Sequence, residues 1–254
     1  MKRLVFLCVV ALALAAHAWA WGSLVASYAS PATDPKGLGY LAVTGGSYIT
    51  LTAANGYVYR LYRSNGSVQG SYATTGGITY GCDSGAMGGF GYTWVVKQTP
   101  NYIRRYGFMG GSLYSSFAAP TGSPAGVAYR NAGGTPYLYI TDANSNLFYI
   151  VNAGTGSVYS YYAMSGFSPR DLAYDAGRNC LWVADFTHTD VRRVSLTGST
   201  LGSFDCGGYP HGLAYDGVYV WVSFITPTNR INVYEVGNTP VETASFGRLK
   251  ALFR

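Results

Sequence analysis

Two short phrases recur along the chain at a nearly constant spacing, and this repeat restricts the possible folds more than any other feature. The first phrase opens with Gly-Ser and closes on an aromatic residue, and successive copies begin 44, 45, 45 and 42 residues apart. Its copies occupy residues 22–28, 66–72, 111–117, 156–162 and 198–204. A fixed period of this length is typical of propellers and other repeat architectures.

The second phrase has the pattern small-x-[Gly/Asp]-[Leu/Val/Ile]-small-Tyr and usually opens with Pro. Its copies are residues 35–40, 124–129, 169–174 and 210–215, with a degenerate version at 75–80. Side chains alternate along a strand, so Leu38 and Tyr40 share one face and a small residue separates them. The small residues are Gly39, Thr79, Ala128, Ala173 and Ala214. We predict that this phrase is an innermost strand, nearly bare on one face because blades crowd together near a central axis.

Two further strand-like runs lie between the phrases, as at 181–184 and 191–195 in the fourth repeat. Four short strands in a period of about 44 residues correspond to one propeller blade. The fifth repeat lacks a clear closing Gly-Ser phrase, and an unpaired copy stands near the N-terminus. The sequence therefore predicts an all-β, five-bladed β-propeller with four-stranded blades, closed by N-terminal residues 22–28 pairing with 231–236. A β-sandwich, the alternative, gives no reason for a fixed period.

The two ends of the chain differ from the repeats. Lys2 and Arg3 precede an apolar run at 4–16, and Ala-Trp-Ala at 18–20 matches a signal-peptidase site. We expect a signal peptide at 1–20, a propeller domain at 21–240 and an amphipathic tail at 241–254. The expected location is secreted, periplasmic or in the cell envelope, with no transmembrane segment after cleavage. The tail could form a terminal helix, touch an anionic surface or act as an export or anchoring tag.

Charge and cysteine content narrow the possible partners. Charged residues make up 11% of the chain and the formal net charge is +6. Loss of Lys2 and Arg3 with the signal peptide would leave +4, which is modest and spread across the blades, so nucleic acid is not an expected partner. Three cysteines follow the predicted signal peptide, and they form no close pair of the kind that binds zinc. We expect Cys82, Cys180 and Cys206 to be buried or half-buried thiols.

Phrases at 212–217 (GLAYDG) and 181–185 (LWVAD) resemble secreted bacterial β-propellers of the NHL, YVTN and streptogramin-lyase-like superfamily. The resemblance extends over residues 22 to about 240 and implies a fold that serves scaffolds, binding modules and some enzymes. It also implies what an enzyme of this kind would need: His and Glu around a divalent cation, calcium held by Glu, Asn and Asp, or a Glu in the channel. Glu235 and Glu242 do not occupy mouth positions, so none of these sets can be carried over.

In a propeller, the loop entering each inner strand and the loop after the second strand share the face around the channel mouth. From blade one to blade five, the second residues of the inner phrases are predicted to be Lys36, Gly76, Ala125, Arg170 and His211. The second strands are predicted to end at Ala53, Lys97, Asp142, Asp185 and Phe224. From these we predict a ligand site containing Lys36, Asp142, Arg170, Asp185, His188 and His211, with Asp171 nearby. The alternatives are that Asp142 and Asp185 cap turns and that Arg170 forms an ion pair with one of them.

Two hypotheses for function follow from this pattern. The first is an exported, non-catalytic module that binds a protein or carbohydrate of the cell envelope or exterior, at the mouth or on aromatic outer strands, without a cofactor. Nine tyrosines that cannot all lie in the core favour such surfaces, although tyrosine also suits half-exposed outer strands. They are Tyr57, Tyr59, Tyr62, Tyr102, Tyr106, Tyr114, Tyr159, Tyr161 and Tyr209. The alternative is a metal-assisted lyase or hydrolase with a divalent cation at His188, His211 and Asp185. A purely structural envelope role is a third possibility, and the oligomeric state is not predicted.

Overall fold

The computed structural model describes residues 21–226 and 228–237, which form twenty strands in five antiparallel four-stranded sheets and no helix. The sheets are arranged as the blades of a ring, so the predicted five-bladed β-propeller is confirmed. The predicted signal peptide at 1–20 and the predicted tail at 241–254 lie outside the described residues. Within the described part, no helix is long and apolar enough to span a membrane.

Each blade runs from an inner strand at the axis to an outer strand at the rim. The first strand along the chain, β1 (Ser23–Ala29), belongs to the fifth blade. Blade one contains β2 (Pro35–Val43), β3 (Gly46–Ala53), β4 (Tyr57–Tyr62) and β5 (Val68–Ala73). Blade two contains β6 (Ile78–Met87), β7 (Phe90–Gln98), β8 (Tyr102–Gly107) and β9 (Leu113–Ala118).

The remaining blades repeat this order. Blade three contains β10 (Pro124–Ala132), β11 (Thr135–Asp142), β12 (Leu147–Asn152) and β13 (Val158–Ala163). Blade four contains β14 (Pro169–Asp175), β15 (Cys180–Asp185), β16 (Asp190–Ser195) and β17 (Thr200–Asp205). Blade five contains β18 (Gly212–Tyr215), β19 (Tyr219–Phe224) and β20 (Arg230–Glu235), with β1 outermost.

The ring closes as the sequence predicts. Strand β1 pairs antiparallel with β20, opposing Leu24 to Tyr234 and Tyr28 to Ile231. The Tyr28 ring also stacks on Trp221 of the same blade, with centroids 5.8 Å apart. Because the first and last strands share one sheet, opening the ring requires breaking the hydrogen bonds of that pair.

The hydrophobic core lies between neighbouring blades. One cluster of buried side chains joins Leu38 and Leu51 of blade one to Trp221 and Ile231 of blade five. Each blade buries both faces, because one face packs on the preceding blade and the other on the following blade. This explains the almost fully buried second strands, such as β15, in which all six residues are buried.

Blade two differs from the register predicted for it. Thr79 pairs with Lys97 and Cys82 with Val95, as Pro35 pairs with Ala53 and Leu38 with Leu51 in blade one. Residues 79–84 therefore form the inner phrase of blade two, not residues 75–80. The predicted copy failed because Gly76 and Gly77 lie in the loop before β6, where both have positive φ values of 51° and 73°. The residue between the two alternating side chains, which is small in the other blades, is consequently Asp83 in blade two and not Thr79.

The three thiols are buried as expected, and two buried aspartates have structural partners. Cys82, Cys180 and Cys206 are buried free thiols. Asp175 accepts a hydrogen bond from the indole of Trp182 (3.2 Å) and forms an ion pair with Arg178. The repeat uses the same pairing in blade five, where Asp216 accepts one from the indole of Trp221 (2.8 Å).

Candidate functional site

Side chains of the second phrase position converge at the N-terminal ends of the inner strands. They line a cavity of about 110 Å³, formed by Lys36, Tyr80, Gly81, Ala125, Arg170 and His211. In blades one to four, the strand register shifts between the first and fourth positions of the phrase, as between Pro35 and Leu38. Such a bulge redirects the side chain at its site, here the second residue of the phrase.

The floor of the cavity is a ring of the third phrase residues. They are Gly37, Gly81, Gly126, Asp171 and Gly212. A Cβ atom at Gly126 would lie 2.5 Å from the Cα of Asp171, and one at Gly81 would lie 2.6 Å from the Cα of Gly126. The inner backbones are thus in contact, and four glycines leave room on the axis for one side chain.

That side chain, Asp171, is fully buried and links the blades. Its Oδ2 accepts hydrogen bonds from the amides of Leu38 (3.2 Å) and Leu213 (2.9 Å), and its Oδ1 accepts one from Val127 (3.3 Å). These amides belong to blades one, five and three. Burial raises the pKa of Asp171 well above its usual value, while the amide donors favour the ionised form and oppose that shift.

A second carboxylate, Asp83, follows along the axis on the side away from the mouth. It accepts hydrogen bonds from the amides of Ser84 (2.7 Å), Tyr129 (2.7 Å) and Tyr40 (3.3 Å). Burial raises the pKa of Asp83 to about 7. The backbones of three blades are therefore held by each axial carboxylate, and Asp171 separates Asp83 from the mouth cavity.

Arg170 is the cation of the mouth that has no anionic partner among the described residues. Its guanidinium carbon lies 4.0 Å from the ring centroid of Phe186, and its buried Nε has no hydrogen-bond acceptor in the part of the chain described. Burial lowers the pKa of Arg170. The alternative role for Arg170, an ion pair with Asp142 or Asp185, is not formed, because those carboxylates accept hydrogen bonds within their own turns.

Lys36 supplies a second positive charge, which is partly neutralised. Its Nζ lies 2.7 Å from Oδ1 of Asp34 and 5.6 Å from the ring centroid of Tyr80. Lys36 is paired with Asp34, burial favours the neutral form of the Asp171 carboxyl in the floor, and Arg170 therefore carries the unpaired charge of the mouth among the described residues. The electrostatic field in the cavity therefore favours an anion.

His211 completes the wall between these cations. Its ring makes an edge contact with Phe186, with centroids 5.0 Å apart. Burial, together with the charges of Lys36 and Arg170, lowers the pKa of His211 to about 4. The imidazole is consequently neutral at pH 7, and either ring nitrogen can present a lone pair.

The other predicted site residues lie in turns outside this cavity. Asp185 accepts hydrogen bonds from Thr187 and His188 (2.8 Å to Nδ1) and forms an ion pair with Arg192 (2.9 Å). Asp142 accepts hydrogen bonds from Thr121 and from the amides of Asn144 (2.8 Å) and Ser145 (3.3 Å). Both carboxylates therefore cap turns, which was the alternative interpretation.

The residues predicted for the metal alternative are not assembled. His188 contacts Asp185, whereas His211 packs on Phe186 at the mouth. Across residues 21–226 and 228–237, no group of three His, Cys, Asp or Glu side chains could hold a metal ion. The structure thus unites Lys36, Arg170 and His211 from the predicted set and separates the other members.

Two aromatic residues of the mouth, Tyr80 and Phe186, were not predicted, and a third, Tyr209, was predicted only as one of the tyrosines outside the core. Tyr80 occupies the second phrase position of blade two, and a correct register would have found it. Phe186 follows the end of β15, and Tyr209, 52% exposed, lies two residues before His211. The centroids of the Phe186 and Tyr209 rings are 6.1 Å apart. No motif in the sequence marks these two residues.

Exposed aromatic residues also occur away from the mouth. Among the predicted set, Tyr57, Tyr62, Tyr114, Tyr159 and Tyr161 are exposed, whereas Tyr106 is buried. A cavity of about 640 Å³ lies between blades one and two at the far end of the strands, lined in part by Tyr48, Tyr92 and Phe108. Its lining residues are all uncharged, so no charged groups converge there as they do at the mouth.

No protein-family model and no curated protein matches this sequence. Solved structures match its fold. The glutaminyl cyclase of Myxococcus xanthus is 13% identical, with 85% of this chain and 97% of that chain covered at a TM-score of 0.66. The PQQ-bound aldose sugar dehydrogenase of Streptomyces coelicolor is 13% identical, with 85% of this chain and 98% of that chain covered at a TM-score of 0.50. The calcium-binding protein regucalcin of Agrobacterium tumefaciens is 11% identical, with 82% of this chain and 93% of that chain covered at a TM-score of 0.53. At these identities, the similarity establishes a β-propeller and does not single out the NHL or YVTN group.

Proposed function

We propose that the channel mouth binds a small molecule through a carboxylate group and promotes an elimination reaction on it. The observation that carries this proposal is the unpaired Arg170 guanidinium on the wall of a closed-floored cavity. A half-buried cation without an acceptor is costly, and an anionic ligand would supply the missing hydrogen bonds. Arg suits a carboxylate because its planar fork can donate two parallel hydrogen bonds.

The neighbouring groups supply the chemistry of an elimination. A carboxylate held by Arg170 and Lys36 withdraws electrons, which makes a hydrogen on the adjacent carbon more acidic. Neutral His211 takes that proton, and the electron pair left behind forms a carbon–carbon double bond with the next carbon. The bond from this next carbon to its oxygen substituent breaks, and the departing oxygen takes a proton from Tyr80 or solvent.

Binding of the carboxylate would also make His211 a better base. The positive charges of Lys36 and Arg170 contribute to the low pKa of His211. An anion between them offsets that repulsion and stabilises the imidazolium form. Ligand binding and proton uptake at His211 are therefore coupled in this proposal.

The comparisons support an enzyme over a non-catalytic module. Two of the three similar structures carry enzyme names, a cyclase and a dehydrogenase. This favours the alternative over the first hypothesis, although the metal-assisted version loses support because its three residues do not meet. A non-catalytic module would use the same pocket and bind the same anion without turnover. Export and a partner in the cell envelope remain part of the proposal.

The test is an NMR titration of the His211 resonances in the full chain, with acetate as the probe and sodium chloride at equal ionic strength as the control. We expect acetate to raise the pKa of His211, starting from about 4, by about one unit. Arg170→Gln should abolish this response. Arg193→Gln should preserve it, because Arg193 also stacks on an aromatic ring, 4.4 Å from Trp21, but does not line the mouth. A pKa of His211 that is indifferent to acetate in the unmodified protein would overturn the proposal.

A further inference from the structure

We infer that the carboxylate ligand is an acidic sugar, a uronic acid residue whose ring stacks on Tyr209. The inference rests on the function proposed for the mouth and adds the substrate class. A cavity of about 110 Å³ has room for a carboxylate and the carbon that carries it, but not for a whole sugar residue. The remainder of the ligand must therefore lie on the rim.

The rim offers one exposed aromatic surface next to the carboxylate site. Phe186 is already covered on one face by Arg170 at 4.0 Å and at its edge by His211. Tyr209, in ring contact with Phe186, keeps 52% of its surface exposed. A ligand whose carboxylate reaches Arg170 would place its adjoining part over Tyr209.

The backbone of the loop holds Tyr209 in this position. Gly207 has a positive φ of 69°, which permits the sharp turn after β17. At Gly208, a Cβ atom would lie 3.1 Å from the ring of Phe224, so the loop packs closely on β19. The next residue, Pro210, is buried. The exposed ring is consequently presented by a well-packed loop rather than by a free end.

A tyrosine ring suits a sugar because it offers a broad, rigid, amphipathic surface at low entropic cost. The C–H groups on one face of a pyranose can lie on it, while the hydroxyl groups remain in water. The exposed hydroxyl of Tyr209 can also form a hydrogen bond. These properties favour a sugar ring over a purely aliphatic acid at the rim.

A uronate also matches the proposed reaction. Its carboxylate is attached to C5 of the ring, and in a 1,4-linked chain the glycosidic oxygen is attached to C4. His211 would remove the C5 proton, the C4–O bond would break, and a C4–C5 double bond would form. The oxygen leaves as the hydroxyl of the preceding part of the chain after taking up one proton, so atoms and charge balance without an oxidant or reductant.

The experiment compares binding of trigalacturonate, the matching neutral galactose oligosaccharide and acetate by calorimetry on the full chain. We expect trigalacturonate to bind about tenfold more tightly than acetate, and the neutral sugar to bind far more weakly. Tyr209→Ala should weaken trigalacturonate binding about fivefold and leave acetate binding unchanged. Tyr161→Ala, which removes a 63% exposed tyrosine from the outer strand of blade three, is the matched control and should change neither.

The outcomes separate this inference from the proposed function. Equal binding of acetate and trigalacturonate would refute the acidic sugar and leave the carboxylate site intact. No response to either anion would remove both proposals. Loss of acetate binding in Tyr209→Ala would also count against the inference. It would mean that the Tyr209 ring maintains the shape of the carboxylate site and does not act by contacting a sugar. Elimination from trigalacturonate would give a product whose C4–C5 double bond is conjugated with the carboxylate. The absorbance of this product should rise when trigalacturonate is incubated with the unmodified protein and should not rise with His211→Ala.

Discussion

Replacing the axial carboxylate should destabilise the whole ring rather than one blade. In Asp171→Ala, the amides of Leu38, Val127 and Leu213 would lose the acceptor they now have at 2.9–3.3 Å. Each buried amide left without a partner costs about 1–3 kcal/mol. Removing the carboxylate also removes the cost of burying it, so we expect a net loss of about 4 kcal/mol in the free energy of unfolding.

The assay is urea-induced unfolding followed by the fluorescence of the buried tryptophans. The midpoint should fall while the dependence on urea stays the same, since a similar surface is exposed on unfolding. Asp171→Asn should lose about half as much, because its one carbonyl oxygen can still accept two amides. Asp205→Ala is the control, since this exposed carboxylate accepts a hydrogen bond from the Gly207 amide at 2.8 Å. The reasoning is refuted if Asp171→Ala lies within about 1 kcal/mol of the unmodified protein.

Three further predictions concern the axis, the ring closure and the thiols. Burial raises the pKa of Asp83 from 3.8 to about 7, so its folded form holds a proton that the unfolded chain releases. The free energy of unfolding should therefore fall as the pH rises from 4 to 7. Asp83→Asn should reduce this fall by about 2 kcal/mol, as measured by urea unfolding at several pH values. Tyr28→Ala removes the ring stacked on Trp221 and should cost about 2 kcal/mol, whereas Tyr57→Ala, on an exposed position, should cost less than about 1. A thiol reagent should label none of Cys82, Cys180 and Cys206 in the native protein and all three in urea, because the fold buries them.

The repeat predicts the ring because it reports constraints that every blade shares. Gly-Ser at the start of each outer strand and a Gly or Asp at the third inner position recur since the same turn and the same axial contact recur. Ring closure was also predictable, because an unpaired phrase at residues 22–28 has one vacant strand position to fill. The observed strands, β1 (Ser23–Ala29) and β20 (Arg230–Glu235), lie within one residue of the predicted bounds, and their antiparallel pairing confirms the predicted closure.

Blade two shows where pattern matching stops. Its inner phrase has Tyr80 in second place, Cys82 in fourth and Ser84 where the other blades have Tyr, so the pattern is hard to recognise. A Cβ at Gly85 would lie 2.0 Å from the ring of Tyr129, which shows that the next blade fills the space of the missing side chain. Such compensation between neighbouring blades is a tertiary effect, so it cannot be predicted from the sequence of one repeat alone.

The candidate site was predicted in part for a similar reason. Lys36, Arg170 and His211 were found because the phrase fixes their position at the mouth. Asp142 and Asp185 were included because they end second strands, but their turns decide their contacts. Each is followed two residues later by a donor, the amides of Asn144 and Thr187, and this local pairing takes precedence over a ligand.

Two adjacent positions of the phrase carry opposite constraints, and this explains how a repeat protein can hold a single asymmetric site. The third residue touches the neighbouring backbones, so it must be glycine or the one aspartate that fills the axis. The second residue lines the mouth cavity, and it varies in size from alanine to arginine among the blades. In our proposal, changes at this position would alter the ligand site without disturbing the hub. Ala125, the smallest of the five, is almost fully buried and still lines the cavity together with Arg170.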